Sequence, residues 1–300
     1  MVDEKRVWKK LRSELGLDGE RLQGFSEVAD EYFQSYVIGH NRAPVFKQSR
    51  LGILKRHFSN TPIDSISAYK VDKYITARKH GGASVSTINR DLAVLLHMYQ
   101  WALSRGYLTE NPLIGVKKLK EAEWVGERPD ESTINAIFSN LPVAVIPVFT
   151  FLRETGCRSG EATTLTWGQV NYANAYVTFR QTKNGRARQV PLTSAALSAL
   201  SAMPRHGATV FYHPGTLKPW DKWSIMKPWA RARKKANSAL RIHDLRHDYA
   251  IRLAEASCAM HFISEVLGHS SVEFTRKRYA RYSPESASRA VLLVLETIAV

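Results

Sequence analysis

Cysteine is scarce in this sequence: 300 residues contain two, Cys157 and Cys258. Neither stands in a C-x-x-C or similar spacing, which excludes a cysteine-based zinc site. Two isolated thiols also exclude a disulfide framework and point to a reducing compartment. Long apolar runs are missing as well. The longest are residues 143–152, which include a proline, and 291–295. Both fall short of the roughly 20 residues that cross a bilayer. The opening MVDEKRVWKK has no apolar core and does not read as a signal peptide. A cytoplasmic protein with no membrane partner is expected. The third shortage is of acidic charge. Asp and Glu number 27 against 43 Lys and Arg, a net charge of +16. A surplus of that size concentrates polyanions, of which nucleic acid is the commonest. From charge alone, a solvated basic surface is the other reading. No acidic cluster suits a divalent metal.

The chain is long enough for two domains, each with its own core. Apolar residues at helical spacing predict helices over 25–37, 44–58, 66–78 and 86–106. Pro44 suits a first turn, Ser84 or Ser86 can cap the longest helix, and Gly106 can stop it. Residues 1–24 read as a lead-in. From Asn111 the chain turns to Pro112, Gly115, Gly126 and Pro129, with Lys117, Lys118 and Lys120 among them. Residues 113–130 are therefore expected to form a linker, one that can lie on a phosphate backbone. In the second half, 132–139 and 143–154 read as helices. Two strand-like runs follow, 174–181 and 186–191, around Asn184-Gly185, a strong hairpin signal. Helices resume after Leu192. The expectation is mainly α with a small antiparallel β-sheet: an all-α domain over 25–112 and an α+β domain over 131–300.

Several polar residues of the second half suggest one chemistry. Two arginines, Arg158 and Arg246, can clamp a phosphodiester and stabilise charge on a five-coordinate phosphorus. A tyrosine such as Tyr279, in the basic run Arg276-Lys277-Arg278-Tyr279-Ala280-Arg281, can attack phosphorus and form an ester. Its ordinary pKa of about 10 calls for cationic neighbours and a proton acceptor. His243 and Arg246 share one face if helical. His269 follows Gly268, a helix-ending glycine, and Lys183 flanks the hairpin turn. A histidine can accept the proton and a lysine can protonate a leaving 5′ oxygen. No metal or nucleotide cofactor is required. Taken singly, each residue has an ordinary structural reading: a surface tyrosine, a salt-bridged helix face, a helix-end cap, a solvated hairpin lysine.

Taken together, TGCRSGE (155–161), TKNGRARQVPL (182–192), HDLRH (243–247), LGHSS (267–271) and Tyr279 resemble the phage integrase family of tyrosine recombinases. Residues 86–112 resemble that family's core-site DNA-binding domain, a SAM-like helical bundle. The resemblance covers nearly all the chain after residue 25 and implies a C-shaped clamp around DNA. It makes Arg158 and Arg246 the phosphate-binding arginines and Lys183 the general acid. His243 is the histidine paired with the second arginine, His269 that of the LGH motif, and Tyr279 the nucleophile. Glu161 orients Arg158. The implied partners are double-stranded DNA at a specific recombination site, three further copies in a tetramer on synapsed DNA, and accessory directionality or bending proteins. No cofactor is implied. Two departures stand out. Tyr279 lies 279 − 269 = 10 residues after His269, one more than is usual, and Arg281 stands where the family often has histidine. Tyr282 is the fallback nucleophile.

Integration of a phage or mobile element is the first expectation. Resolution of chromosome dimers is the second, since the length leaves little room for a large arm-site domain. A type IB topoisomerase and a binding protein with dead catalysis are further alternatives. His247, Asp244 and Trp229 are expected in packing or incidental DNA contacts. Arg231, Arg233, Lys234 and Lys235 read equally as a solvated face or as phosphate contacts. The apolar C-terminal helix expected over 284–300 packs on its own domain or, as the resemblance implies, docks on a neighbouring subunit.

Overall fold

The computed structural model describes residues 24–41, 44–122, 128–180, 187–213, 215–283 and 295. The chain divides into two compact units, Met1–Glu123 and Trp124–Val300. The lead-in over 1–23, the hairpin tip with Lys183, Asn184 and Gly185, and the C-terminal helix expected over 284–300 lie outside the described residues, Leu295 excepted. No described helix is long and apolar enough to cross a membrane.

The described part of the first unit is helical. α1 (Phe25–Tyr32) buries Phe25, Val28, Ala29 and Tyr32, the i, i+3, i+4, i+7 stripe of an amphipathic helix. It continues as a π-helical stretch, Phe33–Val37, and a last α-turn, Ile38–His40, where the sequence predicts one regular helix. α2 (Pro44–Phe58) starts on its proline and buries Leu51, Leu54 and Phe58. α3 (Ala68–His80) begins two residues later than predicted, because Ile66 is buried in the connection after a 3-10 turn, Ile63–Ser65. α4 (Val85–Ser104) is the central element. Ser84 caps it by accepting from the Thr87 amide at 3.3 Å, and Gly106 ends it at φ 76°. Asp91 on α4 is fully buried and accepts from Tyr74 (2.7 Å), Arg78 (3.1 Å) and Arg50 (3.3 Å), so α2, α3 and α4 share one satisfied carboxylate. The start of the expected linker packs on this unit. Leu113 is buried, and the Asn89 side chain exchanges two hydrogen bonds with the Leu119 backbone, at 2.8 and 2.9 Å.

The second unit begins with α5 (Glu131–Ser139), a 3-10 turn Val143–Val145, α6 (Ile146–Thr155) and the short α7 (Ser159–Thr163). A three-stranded antiparallel sheet follows, β1 (Val170–Asn171), β2 (Tyr176–Phe179) and β3 (Arg188–Pro191), in that spatial order. β1 is too short to leave an alternation in the sequence, and only β2 and β3 are predicted. Val177 pairs with Val190 and Phe179 with Arg188, so the inner face carries Val177, Phe179, Val190 and, unusually, Arg188. Then come α8 (Ser194–Ser201), α9 (Lys222–Lys235), α10 (Ile242–Glu255), α11 (Met260–Leu267) and α12 (Val272–Tyr279), with a closing 3-10 turn Ala280–Tyr282. One core gathers Phe149, Phe151, Leu152, Val177, Phe211, Ile225, Trp229 and Leu245. A second lies under the C-terminal helices and includes Tyr249, Ala250, Ile263, Leu267 and Tyr279.

Candidate active site

The site is assembled by two chain reversals packed against α10. Gly156 closes α6 at φ 59°, in the left-handed region that only glycine adopts cheaply. Arg158 follows as the residue before α7, and its backbone N–H donates to Glu161 Oε2 at 2.7 Å. Its side chain reaches Glu161 Oε1 (3.0 Å) and the Gly268 carbonyl (3.3 Å) while staying partly exposed. Gly268 ends α11 at φ 66°, the second left-handed glycine. Its Cα faces the Arg188 side chain, which an added Cβ would meet at 3.0 Å.

Arg246, 4% exposed on α10, ties both reversals together. It donates to the Gly156 carbonyl at 2.8 Å and to the Leu267 carbonyl at 2.6 Å. Two of five N–H groups are so used, leaving others for a ligand. Burial and the charges of Arg158 and Arg188 push its pKa down to about 10, and it stays protonated at neutral pH.

Glu161 does more than orient Arg158. Both its oxygens accept from Arg188, at 2.9 and 2.6 Å, in a bidentate pair that is almost fully buried. Arg188 also donates to the Val266 carbonyl at 2.8 Å and stacks on Phe179, with its guanidinium 4.7 Å from the ring centre. Burial alone would raise the Glu161 pKa; Arg188, and then Arg158, outweigh that and hold it below the usual value. The sequence reading misses Arg188. The signal was present: in the strand alternation it shares the inward face with Val190.

The histidines fall in three places. His243 opens α10 and is exposed, yet the protein crowding its ring and the charge of Arg246 lower its pKa. His269, just past α11, directs Nδ1 at Thr275 Oγ1 (2.7 Å) and packs edge-on against Phe274. Burial, then Arg246 and Arg158, push it down to about 3. His247, expected in packing or incidental DNA contacts, is buried and also faces the tyrosine: its Nδ1 lies 2.7 Å from Tyr279 Oη. Burial and the neighbours His243 and Arg278 push it down to about 3. Its signal was its spacing, one residue after Arg246 and four after His243 on the same helix.

Tyr279 is the last residue of α12 and is 1% exposed. Burial raises its pKa, against the opposing charges of Arg278 and Arg246. Tyr282, one turn on, accepts at its hydroxyl from Arg281 at 2.9 Å. The structure thus brings Arg158, His243, Arg246, His269 and Tyr279 into one unit around α10; Lys183 lies outside the described residues. Trp229 is buried and donates to the Leu240 carbonyl at 2.9 Å, as a packing residue would. Asp244, in the first turn of α10, accepts from the Arg241 backbone N–H at 2.7 Å and so caps that turn.

Residues 130–286 match the phage integrase family over more than half of the chain. A putative integrase/recombinase of Haemophilus influenzae is 27% identical over 291 residues, covering 93% of this chain and 92% of that one. The integrase of Haemophilus phage HP1 is 28% identical, covering 87% of this chain and 78% of its own. In fold, the chain is like a lambda integrase fragment (75–356) solved as a dimer bound to a COC' core site, with a TM-score of 0.72 at 18% identity over 83% of this chain and 96% of that one. The family match makes the chain a DNA strand-transfer enzyme of the tyrosine type. This chain belongs to the phage integrase family and is a site-specific DNA recombinase.

Proposed function

We propose that the protein integrates a phage or other mobile element, with Tyr279 as the nucleophile that cuts DNA. The observation that carries this reading is the placement of the Tyr279 hydroxyl against α10, the helix that also presents Arg246 and His243. Arg158 and Arg246 hold the scissile phosphate through their remaining N–H groups. Their fixed charges favour the five-coordinate phosphorus more than the diester, which lowers the barrier. Tyr279 Oη attacks, a 3′-phosphotyrosyl ester forms and the P–O5′ bond breaks. Lys183 is assigned to protonate the leaving 5′ oxygen, while His243 and His269 hydrogen-bond the phosphate oxygens. The ester conserves the bond energy, so a 5′ hydroxyl of the partner strand can attack it and reseal the DNA without a nucleotide cofactor. Exchange of two strands, then two more, between duplexes held by four subunits passes through a four-way junction. Solved relatives are named as a dimer on a core site and a tetramer on a Holliday junction, which supports the same partners here.

Covalent trapping tests this reading. The protein is mixed with fragmented DNA from its source in chelator and quenched in denaturant; the attached peptide is identified and the DNA sequenced. A chelator-resistant adduct at Tyr279, concentrated at one inverted-repeat site, is the expected result, and Tyr279→Phe abolishes it. An adduct at Tyr282 moves the nucleophile. No adduct on intact or nicked DNA, despite tight binding, makes the protein a binding module.

A further inference from the structure

We propose that His247, not His243, holds the Tyr279 hydroxyl for attack and receives its proton. The proposal rests on Tyr279 being the nucleophile, and the geometry supplies the rest. His247 Nδ1 lies 2.7 Å from Tyr279 Oη, a full hydrogen bond, with both residues nearly buried, at 5% and 1% exposure. The contact joins two helices 32 residues apart in sequence, so it fixes the end of α12 as well as the hydroxyl. His247 is itself held on both sides. Its ring packs edge-on against His243 at 4.9 Å, and Arg246, its chain neighbour, is anchored to the Gly156 and Leu267 carbonyls. His269, a half-buried imidazole nearby, has its Nδ1 engaged by Thr275.

The protonation states fix the direction of the bond. Burial and nearby cations keep His247 neutral at neutral pH, and burial keeps the Tyr279 proton in place. The tyrosine O–H therefore donates, and His247 accepts at Nδ1 with its proton on Nε2. When Oη attacks phosphorus, the O–H bond breaks and its electron pair makes the O–P bond. The proton passes to Nδ1. The P–O5′ bond breaks, and the leaving oxygen takes a proton from the acid assigned to Lys183. On resealing, the imidazolium returns its proton to the departing phenolate. A bound phosphate also offsets the Arg246 and Arg278 charges that oppose protonation of this cluster, so the acceptor gains basicity when substrate arrives.

The test uses the full chain and a nicked duplex carrying the site recovered by trapping. Single-turnover cleavage is followed for the wild type, His247→Ala and His247→Asn, each with Tyr279 intact or replaced by the more acidic difluorotyrosine. Loss of a general base is expected to slow His247→Ala by about a hundredfold or more. The Asn side chain can accept the hydrogen bond near the Nδ1 position but cannot take a proton, so His247→Asn stays slow and, being close in shape, also covers a misfolded alanine variant. Difluorotyrosine, which needs less help to ionise, should recover the slow variants by about tenfold while leaving wild type nearly unchanged. Cleavage by His247→Ala within about threefold of wild type, against the general-base expectation, overturns the proposal. So does an absence of recovery with difluorotyrosine, which would leave a structural role only. If Tyr279→Phe still forms an adduct, or no site can be trapped, the nucleophile reading itself has failed and the proposal falls with it.

Discussion

Glu161 is where a single side chain decides whether the site exists. Its carboxylate answers Arg188, whose side chain is 3% exposed, and part of Arg158. Removing the carboxylate leaves a guanidinium buried without its counter-charge, which costs more than the pair contributes. Glu161→Ala is therefore expected to destabilise the second unit by about 3–5 kcal/mol, enough to lower its melting temperature by roughly 10 °C. Thermal unfolding followed by circular dichroism measures this; a shift of only a degree or two would mean water replaces the carboxylate at little cost. The pH dependence has a definite sign. The folded pKa of Glu161 lies below its ordinary 4.5, so the ionised carboxylate stabilises the fold above that pH, and the contribution is lost as pH falls through the lower folded value. Wild type and Glu161→Gln should differ most at neutral pH, and the gap should narrow as both are melted at progressively more acid pH below about 4.5.

Two left-handed glycines, Gly156 beside the site and Gly106 at the end of α4, separate packing from backbone strain. Gly156 and Gly106 both have positive φ, at 59° and 76°. A Cβ on Gly106 would meet nothing within 4 Å, whereas on Gly156 it would lie 2.4 Å from Tyr249 Cδ1. Gly106→Ala should cost about 1–2 kcal/mol, the left-handed backbone penalty alone. Gly156→Ala adds the clash with a buried ring on α10 and displaces the carbonyl that Arg246 uses, so it should cost more in unfolding and also slow DNA cleavage. Equal losses in the two variants would show that α6 and α10 separate easily. This dependence on neighbours also explains what the sequence made legible. α4 was readable because Ser84, an unbroken apolar stripe and Gly106 agree locally. The gathering of Arg158, His243, Arg246, His269 and Tyr279 in one unit was readable because they sit in contiguous motifs beside the glycines that shape them. The contacts of Arg188 and His247 were not, because they reach residues 27 and 32 positions away, although strand alternation and helical spacing signalled which way the two side chains face. The two-residue β1, the packing of residues 113–119 on α4 and the π-helical stretch after Tyr32 likewise depend on tertiary contacts that local periodicity does not record.

At the scale of the whole molecule, the net charge of +16 must act through particular cations. On α9, Arg233 spends part of its charge inside the protein by donating to the Ala239 carbonyl at 3.1 Å. Arg231, Lys234 and Lys235 remain exposed on the same last turns, and no described acidic residue forms a salt bridge with them. Three like charges so close repel one another, and an approaching phosphate backbone relieves that repulsion. Counterion release makes the contribution countable, since each neutralised phosphate adds about −0.9 to the slope of log affinity against log salt. Replacing Arg231, Lys234 and Lys235 together by glutamine should make that slope shallower by about 2–3 for duplex DNA and weaken binding to all sequences alike. Titrations of the full chain at several salt concentrations, on the trapped site and on unrelated duplex, read both quantities. An unchanged slope would assign the three to a solvated face. A slope change confined to the trapped site would instead mean that they engage DNA only in the specific complex, where the docked geometry brings that turn of α9 onto the backbone.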